Sequence, residues 1–361
     1  VVGCYAQAAD PADIASLQAD VVIGAQGKSQ LAERIAAALD KKGAPQPMMP
    51  ARSIHVFESL DIHAFSHQTR AFLKIQDGCN QFCSYCIIPY ARGAERSIAP
   101  AQAVSIARTM AEHGHQEIVL SGIHTGRYGR DQGTTLLQLL KQLIDATPEQ
   151  VRYRISSIEM NEIDDAFIAY MKQEPRIARH LHIPIQAASD EVLAAMNRPY
   201  DTAWFAQRMR DIRAQLPGIS ISTDMIAGFP QESDEQFAQA LKLVEKELRF
   251  SFIHCFPYSR RDHTRAAQLP GHLPNQVKKA RAAQLGELSE RLHHAYMETF
   301  LGKQADVIIE RQKEGMLFGY SSEYIPVYIP WTGDEMPRRA YVRLDGFCRE
   351  GMHASEMEVI S

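Results

Sequence analysis

Cysteine is scarce in this chain, with six in 361 residues. That excludes a secreted disulfide scaffold, which would be denser and more evenly cross-linked, and it points to a reducing, cytoplasmic setting. Long apolar runs are missing too: nothing approaches the roughly 18 residues of a membrane-spanning helix, so no membrane partner is expected. An excess of basic charge is also lacking. The net charge is −4, so any grip on nucleic acid must come from local patches. The opening VVGCYAQ has neither an initiator Met nor a charged stretch leading into an apolar one. Its VVGC resembles a lipoprotein cleavage box without the signal that should precede it. The chain reads instead as starting inside a domain, on the end of a buried strand.

The chain does carry 45% hydrophobic and 23% charged residues, the balance of a globular protein with an ample core. Its length suggests about two or three domains. Residues 1–45 read as strand, short helix (PADIASLQ), strand (DVVIGA) and an amphipathic helix closed by Gly43, the second half of a small parallel α/β unit. A polar, proline-bearing connection follows. From residue 71 a strand–loop–helix pattern repeats about six times, with strands expected at 71–76, 116–122, 152–159, 180–186, 219–228 and 250–259. Helices are expected at 99–113, 134–146, 234–248 and 274–298. Ser233 with Gln236 has the spacing of a capping box at the start of the third of these. Residues 299–361 change to β-branched and aromatic alternation, the pattern of a small all-β barrel.

Three of the six cysteines fall in DGCNQFCSYCIIPYARG, as Cys79, Cys83 and Cys86. Structural zinc normally takes four ligands, often from two paired knuckles, and no second knuckle is present. Three thiolates on one loop suit a [4Fe–4S] cluster with one iron left open to a small molecule. The loop follows the first strand of the repeat, at the end where parallel α/β barrels collect their active sites.

Cys-x3-Cys-x-aromatic-Cys, with Tyr85 before the last cysteine, resembles the signature of the radical S-adenosylmethionine (SAM) superfamily. The resemblance implies a cluster whose open iron binds SAM and cleaves it to a 5′-deoxyadenosyl radical, with the protein positioning the cofactor. More of the chain narrows it. KIQDGCNQFCSYCIIPYARGAERS, VLSGIHTGRYG, RISSIE, HLHIPIQAASDEVLAAMNRPYD, STDMIAGFPQESDEQF and HCFPYSRRDHT resemble, in order, the tRNA methylthiotransferase family. IQDGCN, SGIHTGRYG and HCFPYSRR look most like the branch acting on N6-threonylcarbamoyladenosine (t6A). The fold this implies is a partial (β/α)6 radical SAM barrel, preceded by the remnant of a small parallel α/β domain and followed by a TRAM-like RNA-binding barrel. Boundaries are expected at 1–50, 51–70 (linker), 71–298 and 299–361.

The resemblance also implies a second, auxiliary [4Fe–4S] cluster, with Cys4 in GCYAQ matching one of its ligands; a small buried thiol is the alternative. Addition of a methylthio group to C2 of the base at position 37 follows. The anticodon loop of tRNA would be the substrate, and a flavodoxin- or ferredoxin-type protein the electron donor. Isopentenyladenosine tRNA or a ribosomal-protein aspartate are alternative targets, and a non-catalytic RNA-binding protein with a structural metal is the alternative of another class.

By the same resemblance, Ser121 and Gly122 end the second strand where backbone meets the SAM amine, unless they form a simple turn. Glu159 is placed to bond the ribose or to make a surface salt bridge. Gly228 suits close approach to adenine, or a plain turn before Pro230. Gln186 and Arg198 are candidates for contacting SAM or substrate, and Arg92 for offsetting cluster or phosphate charge. QAAS, with Ala187 and Ala188, departs from the family's usual QSGS, and RRDHT from its usual Pro-Gly turn. Cys255 and Cys348 read as structural thiols. His180 and His182 share a strand face but show no third metal ligand in sequence, so they are read as hydrogen-bonding histidines. RNA contacts are expected from Arg260, Arg261, Arg338 and Arg339. The last two lie in PRRAYVR, in a terminal module that is otherwise more acidic than basic.

Overall fold

The computed structural model describes residues 1–40, 48–60, 62, 64–65, 68–348 and 351–360. Gly43 and part of the expected linker lie outside these residues. Three short helices open the chain, α1 (Cys4–Ala8), α2 (Pro11–Ser16) and α3 (Leu31–Leu39). The strand expected over VVGCYAQ is therefore corrected. Val2 makes one isolated parallel bridge to Ile23, the chain turns at Gly3 (φ +101°), and Cys4 begins a helix that buries Ala6. So short an apolar run cannot be assigned to strand or helix by periodicity alone.

The repeat then unfolds as β1 (Arg70–Asp77), α4 (Ile88–Arg92), a short β2 (Arg96–Ser97), α5 (Pro100–Glu112), β3 (Glu117–Gly122) and α6 (Leu136–Ala146). It continues through β4 (Arg152–Ile155), α7 (Asp165–Gln173), β5 (His180–His182), α8 (Asp190–Ala195) and α9 (Thr202–Gln215). It closes with β6 (Ser220–Ala227), α10 (Asp234–Leu243), β7 (Phe252–Pro257) and α11 (Asn275–Glu298). The helices form where apolar residues recur at helical spacing. In α6, Leu136, Leu139, Leu140 and Leu143 are buried, and Thr135 with Gln138 caps its start. Ser233 and Gln236 make both bonds of their capping box on α10.

Parallel pairing runs β1–β3–β4 and β5–β6–β7. The two halves meet where Tyr153 N–H donates to Arg176 O (2.7 Å) and Ala178 N–H donates to Tyr153 O (2.8 Å). Six parallel strands thus follow one another in chain order around an arc, and the sheets give no pairing of β7 back to β1 among the described residues. The arc is an open (β/α)6 barrel. Two strands stop earlier than the sequence suggests, at Ile155 and His182. Pro184, which has no N–H to donate, accounts for the second.

The terminal module is a closed five-stranded barrel in the order β10–β12–β11–β8–β9. Its strands are β8 (Gln304–Lys313), β9 (Met316–Ser321), β10 (Pro326–Pro330), β11 (Arg339–Cys348) and β12 (Gly351–Val359). It caps the N-terminal end of the open barrel through a buried charge network. Glu117 accepts from Arg152 (2.6 Å) and Arg154 (2.9 Å), and all three are essentially inaccessible. Arg152 also reaches Asp306, Arg70 pairs with Glu310, and Arg154 donates to the carbonyls of Ser321 and Ser322. Burial would raise the Glu117 carboxyl, but Arg152 and Arg154 hold it far below the usual carboxylate range. One end of the barrel is sealed by this joint, which leaves the other for chemistry.

Candidate cluster and cofactor centre

The cysteine loop leaves β1 through a turn that only glycine allows. Gly78 has φ +72°, and a Cβ there would stand 1.9 Å from Ala94 O. Gly93, at φ +77°, would likewise strike Ala51 O at 2.2 Å. Between these glycines the loop is pinned from outside. Cys79 N–H donates to Gly93 O, Ser84 N–H donates to Met196 O (2.9 Å), and Ala266 N–H donates to Ser84 O (2.7 Å). Asn197, itself at φ +60°, donates to the carbonyls of Gln81 and Phe82. The three thiols are free and half-buried. Burial pushes the Cys79 thiol up to about 11 and the Cys86 thiol upward as well, so their proton loss would accompany metal binding. A cavity of about 450 Å³ opens onto Cys79 beside Asn80, Phe82 and Tyr90.

Arg198 stands behind the loop. Its Nη1 is 3.5 Å from Cys83 Sγ, while Nη2 pairs with Glu159 and donates to Pro184 O (3.0 Å). Tyr200 adds a hydroxyl to the same guanidinium (3.1 Å from Nε), and His124 Nδ1 lies 3.7 Å from Cys79 Sγ. A loop with three thiols, a guanidinium beside one and an imidazole beside another fits an anionic iron–sulfur cluster with one iron free.

The structure brings some expected residues together here and places others elsewhere. Glu159 joins the centre through Arg198. Tyr85 packs against the apolar cluster of Val192, Leu193, Met196 and Phe229, and burial raises its hydroxyl well above the ordinary value. Ser121 and Gly122 end β3 beside β1, where a Cβ on Gly122 would stand 2.6 Å from Gln76 O. Gln186, at φ +71°, bridges to Met225. Gly228 N–H donates to Glu232 (2.8 Å), and its α-carbon packs against Lys278 of α11. Arg92 donates from Nε to Cys4 Sγ (3.0 Å) and lies 3.4 Å from Asp77. Arg260 and Arg261 are exposed. Arg338 donates to Gly114 O, and Arg339 pairs with Asp306 (2.6 Å) and donates to Gln150 O, so both tie the terminal barrel to its neighbour.

Two residues not singled out from sequence matter as well. Asp224 of β6 and His254 of β7 converge on His182 of β5, with donor atoms all within 4.8 Å of one another. Two further donors beside His182 are thus supplied by strands far apart in sequence. Only the in-register pairing of β5, β6 and β7 reveals it.

Comparison with known proteins adds to this geometry. A profile of the Radical SAM superfamily matches residues 73–244. The threonylcarbamoyladenosine tRNA methylthiotransferase MtaB of Bacillus subtilis is 37% identical over 95% of this chain and 77% of its own length. The protein of the same name from Thermotoga maritima is 32% identical over 100% of this chain and 81% of its own. A tRNA-2-methylthio-N(6)-dimethylallyladenosine synthase of Sphingopyxis alaskensis is 34% identical over 92% and 76%.

Proposed function

This chain belongs to the radical SAM tRNA methylthiotransferase family, a family of transferases that use a [4Fe–4S] cluster and SAM, and we propose that it adds a methylthio group to C2 of t6A at position 37 of tRNA, next to the anticodon. The observation that carries the proposal is the Cys79/Cys83/Cys86 loop, fixed at the C-terminal end of β1 in a chain so closely related to the two t6A enzymes. Cluster and SAM, when bound, supply a carbon radical. The chain's own part is positional. Cys79, Cys83 and Cys86 would hold the cluster, and Arg198, locked by Glu159 and Pro184 O, presents a fixed positive charge behind Cys83. Ser121, Gly122, Glu159, Gln186 and Gly228 lie at or near the C-terminal ends of β3, β4, β5 and β6, the end at which the cysteine loop leaves β1, and would line the cofactor there. Cys4, beside Arg92, is proposed as one ligand of the auxiliary cluster. The anticodon loop would supply its unpaired base to the barrel mouth, with Arg260 and Arg261 offering exposed charge, and a flavodoxin- or ferredoxin-type protein would deliver the electron.

The test is mass spectrometry of nucleosides from tRNA incubated with the cluster-loaded protein, SAM and a reductant. The expected product is t6A heavier by one methylthio group in place of hydrogen. The same gain on dimethylallyladenosine, with t6A untouched, would overturn the substrate assignment.

A further inference from the structure

Alternate residues of β5, β6 and β7 face the lumen. Ile253 and Cys255 of β7 pack into the main core, and Ile253 N–H donates to Ser289 of α11, so Phe252, His254 and Phe256 point the opposite way, inward. Those three are exposed, Phe256 at 49%, although they lie in the wall of the barrel. Register sets Ser222 beside His182, and Asp224 beside His254. Polar groups and aromatic rings therefore share one open face below the cluster loop. The step from His182 to Pro184, whose carbonyl binds Arg198, is two residues, or about 7 Å along extended backbone.

The hydrogen bonds on this face have a direction. His180 Nε2 and His182 Nδ1 each lie 2.9 Å from the single hydroxyl of Ser222. His180 is buried, and its Nδ1 has no hydrogen-bond partner among the described residues. A bare ring nitrogen costs less to bury than an unpartnered N–H, so the proton of a neutral His180 sits on Nε2 and is donated to Ser222. Ser222 then donates to His182 Nδ1. That leaves the His182 proton on Nε2, which faces Asp224 Oδ1 at 3.3 Å. The series His180–Ser222–His182–Asp224 holds the Asp224 carboxylate in one orientation, with its side chain about a third exposed (30%) to the lumen.

We propose that Asp224, oriented by this series, and His254 form a hydrogen-bonding subsite for the polar N6 substituent of the target base, with Phe252 and Phe256 as an apolar surface against the ring. The inference rests on the t6A reading. The carbamoyl link of t6A carries N–H groups that a carboxylate accepts, and carbonyl and carboxylate oxygens that the His254 ring can donate to. Dimethylallyladenosine keeps the N6–H, but its substituent offers no second N–H and no oxygen. A polar site built to pair with N–H groups penalises a ligand that lacks them more than an apolar pocket penalises extra bulk. Base faces stack well on aromatic rings, and Phe252 already meets His254 edge to face at 4.8 Å. Ser222 and His180 act as positioning residues, since their hydrogen bonds act on Asp224 through His182.

The test uses the full chain with its cluster loaded and three synthetic anticodon stem-loops of one sequence, bearing adenosine, t6A or dimethylallyladenosine. Binding is read by fluorescence anisotropy and folding by thermal melting. The wild type is expected to hold the t6A loop about tenfold tighter than the adenosine loop. Asp224→Asn is expected to bring the two within about twofold by weakening binding of the t6A loop, and Ser222→Ala to fall between. A t6A preference that survives Asp224→Asn overturns the subsite while leaving the t6A reading intact. A wild type that prefers the dimethylallyl loop overturns the reading itself. No discrimination among the three loops contradicts the subsite. A t6A preference lost with chelator and restored by Mn2+ would mean that His182, Asp224 and His254 act through a bound cation, which also overturns direct hydrogen bonding.

Discussion

The guanidinium of Arg92 donates from Nε to the sulfur of Cys4 across 3.0 Å, joining the first helix of the chain to the short helix that follows the cysteine loop. The same side chain reaches Asp77 at 3.4 Å, and Asp77 ends β1 two residues before Cys79. Arg92 thus ties the first helix of the chain to the flank of the cysteine loop. Asp77 keeps Lys74 (2.6 Å) and Arg96 (3.2 Å) if Arg92 is lost. Arg92→Ala is therefore expected to lower overall stability by only about 1 kcal/mol, yet to free the N-terminal segment. Limited proteolysis should cut within residues 1–40 faster in the variant, with iron at the cysteine loop unchanged. Equal cleavage rates would show that the contact does not dock the segment.

Gly78 gives a sharper expectation. Alanine there must adopt φ +72° and overlap a backbone oxygen that cannot swing aside. Gly78→Ala should lose most cluster iron after reconstitution and lower the melting temperature. Full iron retention would mean the loop has another way through this turn.

At the other end of the barrel, Glu117→Gln leaves two inaccessible guanidiniums with weakened partners. Breaking such a buried network costs about 3–5 kcal/mol, measured here by urea denaturation. A loss below about 1 kcal/mol would show that the arginines find compensation from Asp306, Glu310 and the carbonyls of the terminal barrel.

His180 sets a pH dependence. Burial, then Arg154 nearby, holds its pKa well below the ordinary 6.5. The native state stays neutral while the unfolded chain takes up a proton as pH falls through about 6.5. Stability is thus fully present above that value and declines as pH falls toward the folded-state pKa, by up to about 1.4 kcal/mol per pH unit for this group. Urea midpoints at pH 8.0 and 5.5 should differ less in His180→Gln than in the wild type. An identical pH dependence would place the effect on other groups, such as His115 or His293, whose pKa values burial also lowers.

The limits of legibility follow from where the information lies. The cysteine loop, the capping box at Ser233 and the α6 stripe are local: residues a few positions apart dictate turn, cap and buried face, and the structure has them where the sequence places them. Arg198 beside Cys83 and Asp224 beside His182 are set by register between distant strands, which no short window contains. Arg338 and Arg339 are read as RNA contacts in PRRAYVR, and composition cannot show that both also hold the joint between the terminal barrel and its neighbour. VVGCYAQ failed for a local reason, since a short apolar run ending at a positive-φ glycine fits a helix start as well as a strand.

Whether Cys79, Cys83 and Cys86 hold a SAM-binding cluster is decided most directly by anaerobic iron and sulfide analysis with EPR, on the protein and on its Cys83→Ala variant, each reduced and mixed with SAM. The account predicts about four irons held by this loop in the wild type, a spectrum that shifts when SAM is added, release of 5′-deoxyadenosine, and loss of those irons and of both SAM-dependent signals in the variant. Zinc in place of iron, with no SAM cleavage, would contradict it and leave the loop a structural metal site.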